Sequence, residues 1–106
     1  MNTTVIACDL TAIDPAERDR HILTTEQLFA AVQRTNELPD GYAFQLPAEH
    51  LLDAAHFIGR ERLCCPFFTF TLQLEPNGGP LWLKLTGSAE VKQFIQAEFA
   101  AVNRQD

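Results

Sequence analysis

The chain has 106 residues, 46% of them hydrophobic and 21% charged, which suits one domain (1–106) and leaves two domains too small to bury a core each. Fourteen acidic against eight basic residues give a net charge of −6, so there is no basic stripe for nucleic acid and no attraction to an anionic membrane surface. No apolar run is long enough to span a bilayer. Met1-Asn2-Thr3-Thr4 opens no secretory signal, and the protein is expected to be cytoplasmic. The charge is uneven: residues 1–53 carry three basic and nine acidic groups, residues 54–106 five of each.

Residues 3–10 are rich in β-branched side chains and predict a first strand, with Thr4, Ile6 and Cys8 sharing one face. Asp14, Pro15 and Glu17 then mark a helix start. That helix is expected to run to about Asn36, burying Ile22, Leu28, Phe29, Ala31 and Val32. Leu38-Pro39-Asp40-Gly41 reads as a turn, and residues 42–46 as a short strand with Tyr42, Phe44 and Leu46 on one side. A second helix is predicted from Ala48 to Cys64, with Leu51, Ala54, Ala55 and Ile58 as its buried stripe. Pro66 disfavours helical geometry at Cys65 and ends it there.

Residues 67–75 alternate Phe68, Phe70, Leu72 and Leu74 against polar neighbours, and Leu81, Leu83 and Leu85 alternate after the Pro76–Pro80 turn. Together they predict a β-hairpin with one apolar face. Ser88 caps a last helix that buries Val91, Phe94, Ile95 and Val102. The order β-α-β-α-β-β-α predicts an α+β two-layer sandwich, a four-stranded, mainly antiparallel sheet with three helices on one face. Trp82 falls on the polar face of the hairpin, near Thr69 and Thr71. A half-covered chain terminus or a subunit contact would account for it there.

Three cysteines, Cys8, Cys64 and Cys65, form an odd set in a chain with no sign of export, so reduced thiols are expected rather than a disulfide framework. Pairing between the neighbours Cys64 and Cys65 would close a strained ring. Glu61 precedes them by three and four residues, within reach of either sulfur on a helix. His50, Phe57, Glu61 and Cys64 share a sector, whereas His56 lies on another with Arg60 and Leu63. His21, on the first helix among acidic residues, is expected to be exposed.

A helix C-terminus and a neighbouring carboxylate both disfavour a thiolate nucleophile but favour a bound cation, which deprotonates its thiol ligands. If the first strand lies beside the 67–75 strand, Cys8 supplies a third sulfur. Cys8, Cys64 and Cys65 with Glu61 would then make a soft site for zinc, copper(I) or heavier thiophilic ions.

The run Glu61-Arg62-Leu63-Cys64-Cys65-Pro66-Phe67-Phe68-Thr69-Phe70, with Leu83–Gly87 and Leu38–Phe44, resembles a group of small uncharacterised bacterial proteins. Their E-R-x-C-C-P-F segments accompany mercury- and heavy-metal-resistance functions. The resemblance implies a thiophilic-metal context, mercury(II) included, for Cys64 and Cys65 and, by extension, for Cys8. A second reading keeps the cysteines as packing residues in a non-catalytic interaction module that forms a homodimer through the Thr69, Thr71 and Trp82 face. A third makes Cys64 or Cys65 a nucleophile with His50 or Glu61 as its base.

Overall fold

The computed structural model describes residues 6–99. It contains helices α1 (Pro15–Ala30), α2 (Leu51–Cys64) and α3 (Ala89–Glu98) and strands β1 (Arg34–Leu38), β2 (Gly41–Leu46), β3 (Thr69–Leu74) and β4 (Leu81–Thr86). The sheet is antiparallel throughout, in the order β1-β2-β4-β3. It is the expected α+β architecture of four strands and three helices.

One strand is not where the sequence places it. Residues 6–9 are irregular and Leu10–Ala12 form a 3-10 turn, while residues 3–5 of the expected first strand, and Val102, lie outside the described residues. The remaining strand is β1, which begins within the stretch read as the end of the first helix and runs into the expected turn at Leu38. Its sequence Arg-Thr-Asn-Glu-Leu buries only Thr35. A polar edge strand has no apolar alternation to announce it. Helix α1 stops at Ala30, and the Gln33 N–H donates to the Gln45 carbonyl at 2.8 Å to open the ladder.

The helix starts follow local chemistry. Asp14 accepts from the Ala16 N–H with Pro15 at the first position, and Ser88 accepts from the Val91 N–H; each cap satisfies an otherwise orphaned donor. Tyr42, Phe44 and Leu46 of β2 and Leu81, Leu83 and Leu85 of β4 are buried on one sheet face. Strand β3, at the opposite edge, leaves Phe70 and Leu72 half-buried and Leu74 exposed. On the other sheet face Trp82 is half-buried, in register between Gln45 and Gln73.

All eight phenylalanines join one network of ring contacts. Phe29 of α1 meets Phe44, Phe57 and Phe99 at 5.0, 5.4 and 4.8 Å, and Phe57 continues through Phe70 to Phe68, Phe67 and Phe94. The buried side of α2 is Ala54, Phe57, Glu61 and Cys64. Ala55 is exposed and Leu51 and Ile58 are only half-buried, so the helix is rotated from the expected stripe.

Gly41 starts β2 against Thr86 of β4. A Cβ built there collides with the Leu85 carbonyl oxygen and lies 2.8 Å from the Thr86 Cα, backbone atoms that cannot swing aside. Gly41→Ala should therefore destabilise the fold by at least about 2 kcal/mol, read as a lowered thermal midpoint. Gly59→Ala, with nothing within 4 Å of the added carbon, should raise it slightly by improving helix propensity.

Candidate metal centre

Helix α2 delivers the site because it ends where it does. Cys64 is its last residue, and Cys65 leaves helical geometry at φ −129° and ψ 70°, as a residue before proline must. The Cys65 N–H still donates to the Glu61 carbonyl at 2.7 Å, holding the turn closed. Cys64 and Cys65 are 2% and 0% exposed.

The N-terminal segment is tied to this corner by its backbone: the Asp9 N–H donates to the Cys64 carbonyl at 2.9 Å. The Asp9 carboxylate accepts from the Thr11 N–H at 3.0 Å and from its hydroxyl, and these two bonds hold the Asp9 carboxyl below the usual carboxylate range. Arg18 of α1 donates Nε to the Leu10 and Ile13 carbonyls, both at 3.0 Å. Cys8 is thereby brought to Cys65, and the two form a disulfide with Cα atoms 4.8 Å apart. This corrects the expectation of three reduced thiols. Cys8 does approach the pair, but through an irregular segment pinned to the helix end rather than a strand beside β3.

Cys64 is the one free cysteine. Its Sγ lies 3.6 Å from the Cys65 Sγ and 3.3 Å from Glu61 Oε1, to which the thiol donates. Glu61 is 6% exposed, and the same Oε1 is 2.8 Å from His21 Nε2. One donor atom from each of Cys8, Glu61, Cys64 and Cys65 falls within 4.8 Å of all the others. The four candidate ligands are thus together in space.

His21 corrects a second expectation, since it is 2% exposed. It lies flat on Phe57, rings 5.8 Å apart and 20° from parallel, and its Nδ1 is buried without a hydrogen-bond partner among the described residues. A buried orphan of this kind costs about 1–3 kcal/mol. The available signal was its spacing of seven and eight residues from Leu28 and Phe29, the buried face of α1; Ile22, assigned to that face instead, is 41% exposed. His50 pairs at 3.6 Å with Asp53 of its own turn, and His56 is exposed. Neither is among the residues that gather around the sulfurs.

Burial pushes the Cys64 thiol up to about 12, with the Glu61 charge and hydrogen bond and the Asp9 charge acting in the same direction. Cys64 is a neutral thiol near neutral pH, contrary to what a nucleophile needs. A hollow of about 240 Å³ opens beside it, bordered by Cys8, Leu10, His21, Ile22, Thr25, Glu26, Glu61 and Cys64 and presenting an apolar surface. A wider hollow of about 550 Å³ shares Cys8, Thr25 and Glu61 with it and carries Glu98. No helix among the described residues is long and apolar enough to cross a membrane. No protein-family model, curated protein or solved structure matches the chain.

An ordinary cysteine near pH 9 in the unfolded chain and about 12 in the fold sets a sign. Below pH 9 both states hold the proton; as pH climbs from 9 toward 12 the unfolded state gives it up first, and the associated stability is lost. Titration followed by thiolate ultraviolet absorbance should show no Cys64 signal at pH 9. Glu61→Gln should bring the onset down by removing the neighbouring charge.

Proposed function

We propose that the protein, with Cys8–Cys65 reduced, binds a thiophilic metal ion through the Cys8, Cys64 and Cys65 sulfurs, with Glu61 as the oxygen donor. The observation that carries this reading is the gathering of all four donor atoms within 4.8 Å. Zinc holds sulfur at about 2.3 Å in a tetrahedron, which puts ligand sulfurs roughly 3.8 Å apart. Cys64 and Cys65 stand at 3.6 Å already.

The donor chemistry suits the ion. Three thiolates select zinc, copper(I) or mercury(II) over hard cations such as magnesium. Glu61 Oε1 now accepts from the Cys64 thiol and from His21. On binding, the Cys64 proton leaves and the cation takes its place against the same oxygen, while His21 keeps the carboxylate oriented. The resemblance of the Glu61–Phe70 run to heavy-metal-resistance segments agrees with this reading. It requires a compartment where Cys8–Cys65 is reducible, as the cytoplasm is.

The disulfide supports a second reading, in which Cys8 and Cys65 are structural. They are 57 residues apart in the chain, and closing a loop of that length restricts the unfolded state by about 4 kcal/mol in the chain-entropy account. The phenylalanine network does not pass through the sulfurs, so the reduced protein should stay folded with a lower thermal midpoint.

Titrating zinc or mercury(II) into phosphine-reduced protein should give thiolate-to-metal absorbance saturating at one ion per chain and a raised midpoint, neither of which appears with magnesium or with the oxidised protein. Affinity should rise with pH, because binding releases thiol protons. Stoichiometric binding that survives the double change Cys64→Ser and Cys65→Ser would overturn the assignment. Absence of binding would leave the disulfide as a structural crosslink.

A further inference from the structure

The hollow beside the sulfurs is larger than a bare ion uses. An apolar cavity of about 150 Å³ is enough to take a benzene ring, and this one measures about 240 Å³. Its border includes Cys8 and Cys64 but not Cys65. The donor atoms of Cys8 and Cys64 lie within 4.8 Å of each other. Leu10 and Ile22, on its rim, are 42% and 41% exposed, large side chains left facing solvent where the pocket opens. The wider hollow shares Cys8, Thr25 and Glu61 but not Cys64, so an atom bridging Cys8 and Cys64 directs a substituent into the smaller one.

We propose that the site takes a thiophilic atom carrying one small apolar organic group, such as a monoaryl arsenic(III) compound, with the atom bridging Cys8 and Cys64 and the group lodged against Leu10 and Ile22. This rests on the thiophilic reading of the cluster and adds the ligand class to it. Opening Cys8–Cys65 takes two electrons and two protons. A phosphine gives the electrons and becomes its oxide while water supplies the protons and the oxygen, or two small thiols give both and leave as their disulfide. Attack falls at Cys8, the exposed residue of the pair. The capture step is then C6H5As=O with two thiols, giving C6H5As(S-Cys)2 and one water. Two arsenic–sulfur bonds form, both thiol hydrogens leave on the oxide oxygen, and arsenic keeps its oxidation state.

An apolar group gains from leaving water and an oxyanion does not. The pocket should therefore discriminate by substituent. Two acidic residues border it: the Glu61 carboxylate is turned to His21 and Cys64, and Glu26 is exposed to solvent, which leaves the surface presented to an uncharged ring apolar.

The test compares phenylarsine oxide with methylarsonous acid and inorganic arsenite, by competition on phosphine-reduced protein and by intact mass under native conditions. The phenyl-over-methyl preference should exceed that of a free dithiol by about tenfold. Leu10→Asn and Ile22→Asn, neutral changes at exposed positions, should abolish that excess while leaving arsenite affinity within about threefold, as apolar contact predicts. Cys65→Ser, which removes the disulfide and keeps both bridging sulfurs, should retain the phenylarsenic adduct. Cys8→Ser and Cys64→Ser each leave a dithiol, Cys64 with Cys65 at 3.6 Å or Cys8 with Cys65, and should keep arsenic capture while losing the phenyl excess. A phenyl preference no greater than the free dithiol's, or one unchanged in both rim variants, overturns the inference while arsenite or zinc binding keeps the metal reading intact. No binding of arsenite, zinc or mercury(II) to reduced protein overturns the metal reading itself.

Discussion

A carboxylate drawn out of water must find hydrogen-bond donors, and Glu61 finds them on two helices. Its own turn supplies the Cys64 thiol at 3.3 Å, and α1 supplies His21 at 2.8 Å. Losing either donor would strand a buried charge, which is far more costly than losing a surface contact. The packing angle between α1 and α2 must therefore keep His21 over Glu61. The Arg60–Glu17 pair at 3.0 Å and the His21–Phe57 stack act in the same place. The phenylalanine network behind Phe57 fixes the helix pair against the sheet, so the sulfur corner inherits its geometry from the core.

In the proposed metal site the same sulfurs would serve two incompatible states. Cys65 bonded to Cys8 cannot also hold an ion, and an ion on those thiolates blocks the disulfide. By linkage, whatever factor oxidation takes from metal affinity, the metal takes from disulfide formation. Cys64, outside the disulfide yet 3.6 Å from it, belongs to the cluster in either state. A lone structural disulfide gives no reason for that third sulfur to sit beside a buried carboxylate.

Much of this was legible in the sequence. The alternation in β2, β3 and β4, the caps at Asp14 and Ser88, and the proline stop after Cys64 are local signals, and the structure follows them. So is the reach from Glu61 to Cys64. The first strand was misplaced because β1 is a polar edge strand held by backbone pairing to β2, which leaves no periodic trace. Cys8 could be placed near the pair only conditionally, because its position depends on long-range links, the Asp9 N–H to the Cys64 carbonyl and the disulfide itself, that leave no local pattern. His21 was missed for a related reason. The residues before it, Asp19 and Arg20, are charged and exposed, and Ile22 and Leu23 after it are exposed too. Its partner is forty residues away, and only its register with Leu28 and Phe29 hints at burial. The compartment argument bears on the oxidation state of the cysteines and carries no information on which two the fold brings together, here Cys8 and Cys65.

The electrostatics of the corner favour one use of the thiols over another. Glu61 and Asp9 both oppose a negative charge on Cys64, and the carbonyl end of α2 adds to them. For a nucleophile each of these is a defect. For a cation each changes sign, because the groups that keep a proton on the sulfur attract any positive charge that replaces it. Proton and metal thus compete for the same position, and a hard cation loses that competition because it cannot form strong bonds to sulfur. A thiophilic atom can displace the proton, and the acidic surroundings then stabilise the charge it brings.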